Sequence, residues 1–179
     1  MLRQLKIAII VLTISLLVVV PVFARLSFAG GASVSGGSLI AEARVAGVGS
    51  DGGLVKATIA VESTQAPLVA MCQNRGSNQA PGQNPVPVSV YQEQVVTIDS
   101  NGSGIAYFHV NYLPTPTEAG CPNKNWTVID LLGYLQVTLT AVNTTDGETA
   151  QLILACYVEE ANKVVQCTEV SSTYTGPTS

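Results

Sequence analysis

The chain has 179 residues, of which 47% are hydrophobic, 11% charged and 6% aromatic, and its formal net charge is −4. A negative balance offers no broad basic patch to nucleic acid or to an anionic membrane, so neither is an expected partner. One histidine and no Cys-x-x-Cys leave a zinc site without ligands at any usual spacing, and no cofactor fingerprint occurs, so no metal or cofactor is expected.

Residues 1–24 read as an export signal. Arg3 and Lys6 form a basic start, Ile7 to Phe23 is apolar apart from Thr13 and Ser15, and Val22-Phe23-Ala24 suits a signal peptidase. Ala29 offers a second cut. No cysteine follows either cut, so a lipid anchor is not expected, and the apolar run is short for a spanning helix. Cleavage after Ala24 predicts a secreted or cell-surface chain that meets a membrane only before processing. Without Arg3 and Lys6, six of the eight Lys/Arg remain against twelve Asp/Glu. The 155 residues left suit one domain that buries roughly 70% of its unfolded surface. All four cysteines lie in this part, which predicts two disulfides.

Residues 25–38 are rich in Gly, Ser and Ala and read as a flexible leader. Leu39, Ala41, Ala43 and Val45 alternate with Ile40, Glu42, Arg44 and Ala46, and Val55, Ala57, Ile59 and Val61 alternate with Lys56, Thr58, Ala60 and Glu62. With Gly49-Ser-Asp-Gly-Gly53 between them, these runs predict a hairpin. Leu68 to Cys72 reads as a third strand. Cys72 to Pro85 then holds three Asn, three Gln, two Gly and two Pro, and no large apolar side chain. That composition predicts a long polar surface loop, and loops of this length are commonly functional. Its candidate interaction residues are Gln73, Asn74, Arg75, Asn78, Gln79, Gln83 and Asn84.

Val86 to Tyr91 contains Pro87 and reads as an edge strand or bulge. Gln94 to Asp99 and Ile105 to Tyr112 are strand-like around an Asn-Gly turn. Leu113 to Asn125, with three prolines and Cys121, is a second long loop. Trp126 to Gly133 fits either a short strand or a helical turn around Asp130. Leu135 to Ala141 is a strand, Asn143 to Gly147 a turn, and Thr149 to Val158 with Val164 to Val170 a final hairpin. Residues 171–179 read as a disordered tail. About eight or nine short strands over 39–170, with no run of helical period, predict an all-β antiparallel β-sandwich, Ig-like or related.

Cys72-x-Asn-x-Gly, Ala80-Pro-Gly-Gln-Asn-Pro85 and Cys121-Pro-Asn-x-x-Trp126 together resemble a group of uncharacterised secreted bacterial β-rich proteins that close with a cysteine-bearing strand, as Cys167 does here. The likeness covers roughly residues 39–170. It implies a bacterial exported protein and no particular activity or site.

The chemistry-bearing residues favour plain readings. His109 lies between Phe108 and Val110 on the solvent side of a strand, and no Gly-x-Ser-x-Gly elbow accompanies it. Asp99 to Ser103 and Asn143 to Glu148 space oxygens as calcium loops do, but lack a closing Glu in register and read as turns. Asn101, Asn125 and Asn143 match Asn-x-Ser/Thr. Tyr91, Tyr107, Tyr112, Trp126 and Tyr134 offer either core aromatics or a sugar-stacking platform. A turn about Ala161-Asn162 sets Cys156 opposite Cys167, Val158 opposite Val165 and Glu169 opposite Leu154, which leaves Cys72 for Cys121. The expected function is non-enzymatic: a structural or interaction role at a cell surface or in an extracellular matrix. Partners would be further copies of the chain, through strand addition by residues 33–39, or a cell-surface or polysaccharide partner. A carbohydrate- or ligand-binding module acting through residues 73–84 and exposed aromatics is the alternative, and a secreted hydrolase comes third.

Overall fold

A computed structural model describes residues 26–48, 54–64 and 67–177. The expected signal, the expected mature start at Arg25 and the turn at 49–53 lie outside these residues.

The described residues form eleven strands in chain order: β1 Ser27–Ser35, β2 Ser38–Ala46, β3 Leu54–Ser63, β4 Leu68–Gln73, β5 Gln79–Val86, β6 Ser89–Thr97, β7 Gly104–Asn111, β8 Thr127–Asn143, β9 Thr149–Val158, β10 Val165–Gln166 and β11 Thr168–Thr175. All pairings are antiparallel. One sheet has the order β10-β1-β2-β7; the other runs β11-β9-β8-β3-β6, with β4 and β5 added beside β8. The inward faces meet in one core. Val34, Leu39, Val45, Phe108 and Val110 come from the first sheet, and Ile59, Val61, Leu135, Val137, Leu139 and Leu154 from the second. This is the two-layer solution expected of strands with one apolar face each.

The longest strand organises the second sheet. β8 pairs with β9 along one side from Gly133 to Val142. Its other side is shared: Thr127–Leu132 meets β4 and Leu135–Asn143 meets β3. Gly133 lies at the changeover. The stretch 126–133, ambiguous in sequence, is thus mostly strand.

Several expectations need correction. The leader at 25–38 contains β1, which pairs with β2 from Ser27↔Ala46 to Ser35↔Ser38. Its small residues hide a period of two, with Ala32 and Val34 buried and Gly31, Ser33 and Ser35 on the other face. Gly36 and Gly37 both take positive φ, so they form the tight two-residue connection that β-branched residues resist. The tail at 171–179 contributes most of β11, whose Ser/Thr-rich composition suits an edge strand with a wet outer side. The predicted β2–β3 hairpin does not form. β2 lies between β1 and β7, and β3 between β6 and β8, so the chain leaves the first sheet at Ala46 and enters the second at Leu54. Identical alternation suits strands that face each other across a core as well as strands that pair, and that connection is longer than a tight hairpin turn. Pro87 falls between β5 and β6, not inside a strand.

Both predicted disulfides are present, Cys72–Cys121 and Cys156–Cys167. Glu169 faces Leu154 as the sequence register requires. Val165, expected opposite Val158, instead faces Val34, and Gln166 faces Ser33. The last hairpin therefore splits. Its return arm touches the first sheet as β10, then passes at Cys167 to the second sheet as β11. The Cys156–Cys167 bridge holds that crossing, where the Cys167 amide also donates to the Ala32 carbonyl. Two disulfides fit a chain that folds in an oxidising compartment. No helix among the described residues is long and apolar enough to cross a membrane.

Candidate binding groove between two turns

The polar segment after Cys72 is not a free loop. β4 and β5 form a hairpin with Cys72↔Ala80 and Gln73↔Gln79 in register, interrupted by a bulge opposite Ala70. Proline survives in β5 because that strand lies at a sheet edge. At the bulge the chain turns to the second long loop: the Gln83 amide donates to the Gly120 carbonyl and the Asn84 amide to the Ala119 carbonyl. The Asn84 Nδ2 donates to the Glu118 carbonyl at 3.0 Å. A side chain at Gly82 would place its Cβ 2.3 Å from the Ala119 carbonyl oxygen, so only glycine permits this approach.

The second loop carries a reciprocal cap. Glu118 Oε2 accepts from the Thr115 amide and hydroxyl, both at 2.8 Å, and Thr115 Oγ1 accepts from the Glu118 amide. The Thr115 amide, and then its hydroxyl, hold the Glu118 carboxyl below the usual carboxylate range. A lowered folded-state pKa means that the contribution is full above the unfolded value and is lost as pH falls through the folded one. Amide exchange at Thr115 and at residues 117–121 is therefore expected to speed up on acidification through the carboxylate range. Glu118→Gln should show fast exchange already at neutral pH and a flatter response to acid. A wild-type profile in the variant would contradict this role.

These anchors place two turns side by side. β4 ends at Gln73 and β8 begins at Thr127, its register partner, and Thr127 Oγ1 donates to the Gln73 carbonyl. In the first turn, Asn74 Oδ1 accepts from the amides of Gly76 at 2.9 Å and Asn78 at 3.0 Å. In the second, Asn123 Oδ1 accepts from the Asn125 amide at 2.9 Å, and the Trp126 amide donates to the Asn123 carbonyl. Such Asx turns fix the backbone without an apolar core. Gln73 follows Cys72 and Pro122 follows Cys121, so the disulfide ties together the starts of both turns.

An open groove lies between them, lined by Asn74, Arg75, Gly76, Asn123, Asn125 and Trp126. Trp126 is half-buried, while Arg75, Asn123 and Asn125 are exposed. The Asn74 and Asn123 oxygens are engaged within their turns, which leaves their NH2 groups as donors, while the Asn125 side chain offers both an NH2 and a carbonyl oxygen. The groove therefore combines an indole face with a set of N–H donors, a surface suited to a polar ring-bearing ligand.

Of the seven candidate loop residues, Asn74 and Arg75 line this groove. Asn78 closes the first turn, and Gln73 and Gln79 face each other at the base of the hairpin. Gln83 and Asn84 are held against residues 117–120. Asn123 and Asn125 were not singled out as binding residues, and Trp126 was grouped with the wrong aromatics. The Cys72–Cys121 pairing was the signal that brings them to Asn74 and Arg75.

The aromatics do not form one platform. Tyr91 and Tyr107 are each 63% exposed but stand on different sheets. Tyr134 stacks on Tyr157 with ring centroids 4.1 Å apart. Tyr112 is buried with no partner for its hydroxyl, and burial, then the nearby Asp130, pushes its pKa up. His109 is exposed on β7, where its carbonyl accepts from Gln92 Nε2. The Asp99 carboxylate is used within its turn, accepting from the Asn101 and Ser103 amides. Asn143 is buried, with Oδ1 accepting from the Thr145 amide. Compared with protein-family models and with curated proteins, the chain matches neither.

Proposed function

We propose that this protein is an exported, non-enzymatic β-sandwich that acts by contact at a cell surface or in an extracellular matrix, and that the groove between the two turns makes the contact. The observation that carries this reading is the convergence of Trp126, Arg75 and three asparagines on one rigid groove. Export is supported by the three-part signal pattern at 1–24 and by the two disulfides. Carbohydrate is the favoured ligand class, because an aromatic face with amide donors matches the apolar faces and hydroxyl rims of sugar rings. Retention of the mature chain on a panel of immobilised polysaccharides tests this. Trp126→Ala should abolish retention without changing thermal stability. Equal retention of the variant, or none for either protein, would count against the reading.

A second reading, self-association by strand addition, is favoured by one feature. The outer edge of β11 runs from Thr168 to Thr175 with no lysine, arginine or proline to guard it. The expected donor, residues 33–39, is already paired within its own sheet, so this reading needs β11 as the acceptor edge. Sedimentation of the mature chain over micromolar concentrations distinguishes the two. Concentration-dependent assembly supports strand addition, and a monomer throughout removes it.

A further inference from the structure

We infer that the groove takes an acidic polysaccharide, with Trp126 against a sugar ring and Arg75 and Lys124 meeting its carboxylates. This rests on the reading of the groove as the contact site and specifies its ligand.

The charge pattern carries the argument. The described residues contain five Lys/Arg: Arg44, Lys56, Arg75, Lys124 and Lys163. Three are engaged by carboxylates, Arg44 by Glu42, Lys56 by Glu93 and Lys163 by Glu160. Arg75 and Lys124 have no such pair, and they fall on the two turns that frame the groove. Neither Asn74-Arg-Gly-Ser-Asn78 nor Pro122-Asn-Lys-Asn-Trp126 contains an acid. Both side chains are exposed. Among the described residues, the two cations without a carboxylate partner thus sit on these two turns, Arg75 in the lining of the groove and Lys124 between its lining residues Asn123 and Asn125.

The hydrogen-bonding inventory has the same sign. Asn74 and Asn123 spend their oxygens on backbone amides. What remains is mostly donors: the NH2 groups of Asn74, Asn123 and Asn125, a guanidinium and an ammonium, beside the one Asn125 side-chain oxygen. A donor-rich rim with two cations suits an acceptor-rich anion, and guanidinium binds carboxylate in a two-point fork. The indole adds the element that a simple anion would not use.

Two cations are too few for nucleic acid, whose binding rests on roughly 6–10 phosphate contacts. They are enough for a chain of acidic sugars that meets one or two charges per site and stacks in between. No acid lies on either turn, and charges beyond about 8 Å are screened at physiological salt.

Titration calorimetry on the mature protein tests the inference with polygalacturonate, its methyl ester and polyglutamate. The ester keeps the sugar backbone and removes the charge, whereas polyglutamate keeps charge and has no sugar. Binding of polygalacturonate is expected to exceed that of the ester at least tenfold. Arg75→Gln with Lys124→Gln should remove that preference, and Trp126→Ala should weaken both saccharides. Each variant should melt as the parent does. Equal affinity for acid and ester, or a preference unchanged in the double variant, overturns the acidic ligand while leaving a saccharide groove. Equally tight polyglutamate binding that ignores Trp126→Ala also overturns it. Absence of binding to either saccharide overturns the underlying reading as well.

Discussion

Replacing Cys72 and Cys121 together with alanine is expected to destabilise the fold by about 4 kcal/mol. The bridge joins residues 49 apart in sequence, and the chain-entropy cost of leaving such a loop open grows with its length. Cys156–Cys167 spans only 11 residues and should contribute about 3 kcal/mol on the same argument. Location strengthens the contrast. Cys72 is buried on β4, and its bridge draws the 113–126 loop onto the β4–β5 hairpin. Without it, Gln83 and Asn84 would have to hold residues 117–120 through hydrogen bonds alone. Urea unfolding of the two double-alanine variants is the measurement. A larger loss for the Cys156–Cys167 pair would mean that the crossing between sheets, and not the loop over β4, is the critical closure.

Asp130→Ala is expected to cost about 3–5 kcal/mol, comparable to breaking a buried charged interaction. The side chain is fully buried. Its Oδ1 accepts from the Gly37 amide at 3.1 Å and the Leu131 amide at 2.9 Å, and its Oδ2 accepts from the Asn162 amide at 2.9 Å. One carboxyl group thus holds the β1–β2 turn and the β9–β10 connection to β8. Alanine would strand these donors in or near the core, where an unsatisfied group costs about 1–3 kcal/mol. Asp130→Asn keeps one acceptor oxygen and should lose less. Denaturant midpoints of the two variants test the ordering, and a loss below about 1 kcal/mol for alanine would show that the turns hold without it.

The fold class was legible because alternation survives in nearly every interior strand. Leu39 to Val45 and Val55 to Val61 announce half-buried strands, and each is one. Their partners were not legible, because a period of two gives a face and not a neighbour. β1 and β11 were missed for a different reason. Their Gly, Ala, Ser and Thr carry little hydrophobic signal, and their order comes from pairing with β2 and β9. The disulfides were readable from one local register, Cys156 against Cys167, even though Val165 leaves that register for β1. Asp130 drew notice only as a possible helical turn, since its three partners are backbone amides, two of them from connections far away in sequence.

The groove was half legible. Polar composition pointed to the segment after Cys72, and Asn74 and Arg75 are there. Composition also points to Gln83 and Asn84, which are exposed outside the groove lining and bond to residues 117–120. The other wall, Asn123 to Trp126, lies about fifty residues on and joins the site only through Cys72–Cys121 and the β4–β8 pairing.

Backbone amide spectra of isotope-labelled mature protein, titrated with a short oligogalacturonate, test the central claim most directly. The account predicts shifts confined to residues 74–78 and 123–127, together with the Trp126 indole N–H. Shifts centred instead on β11 or on Tyr134 and Tyr157, with the two turns unmoved, would contradict it.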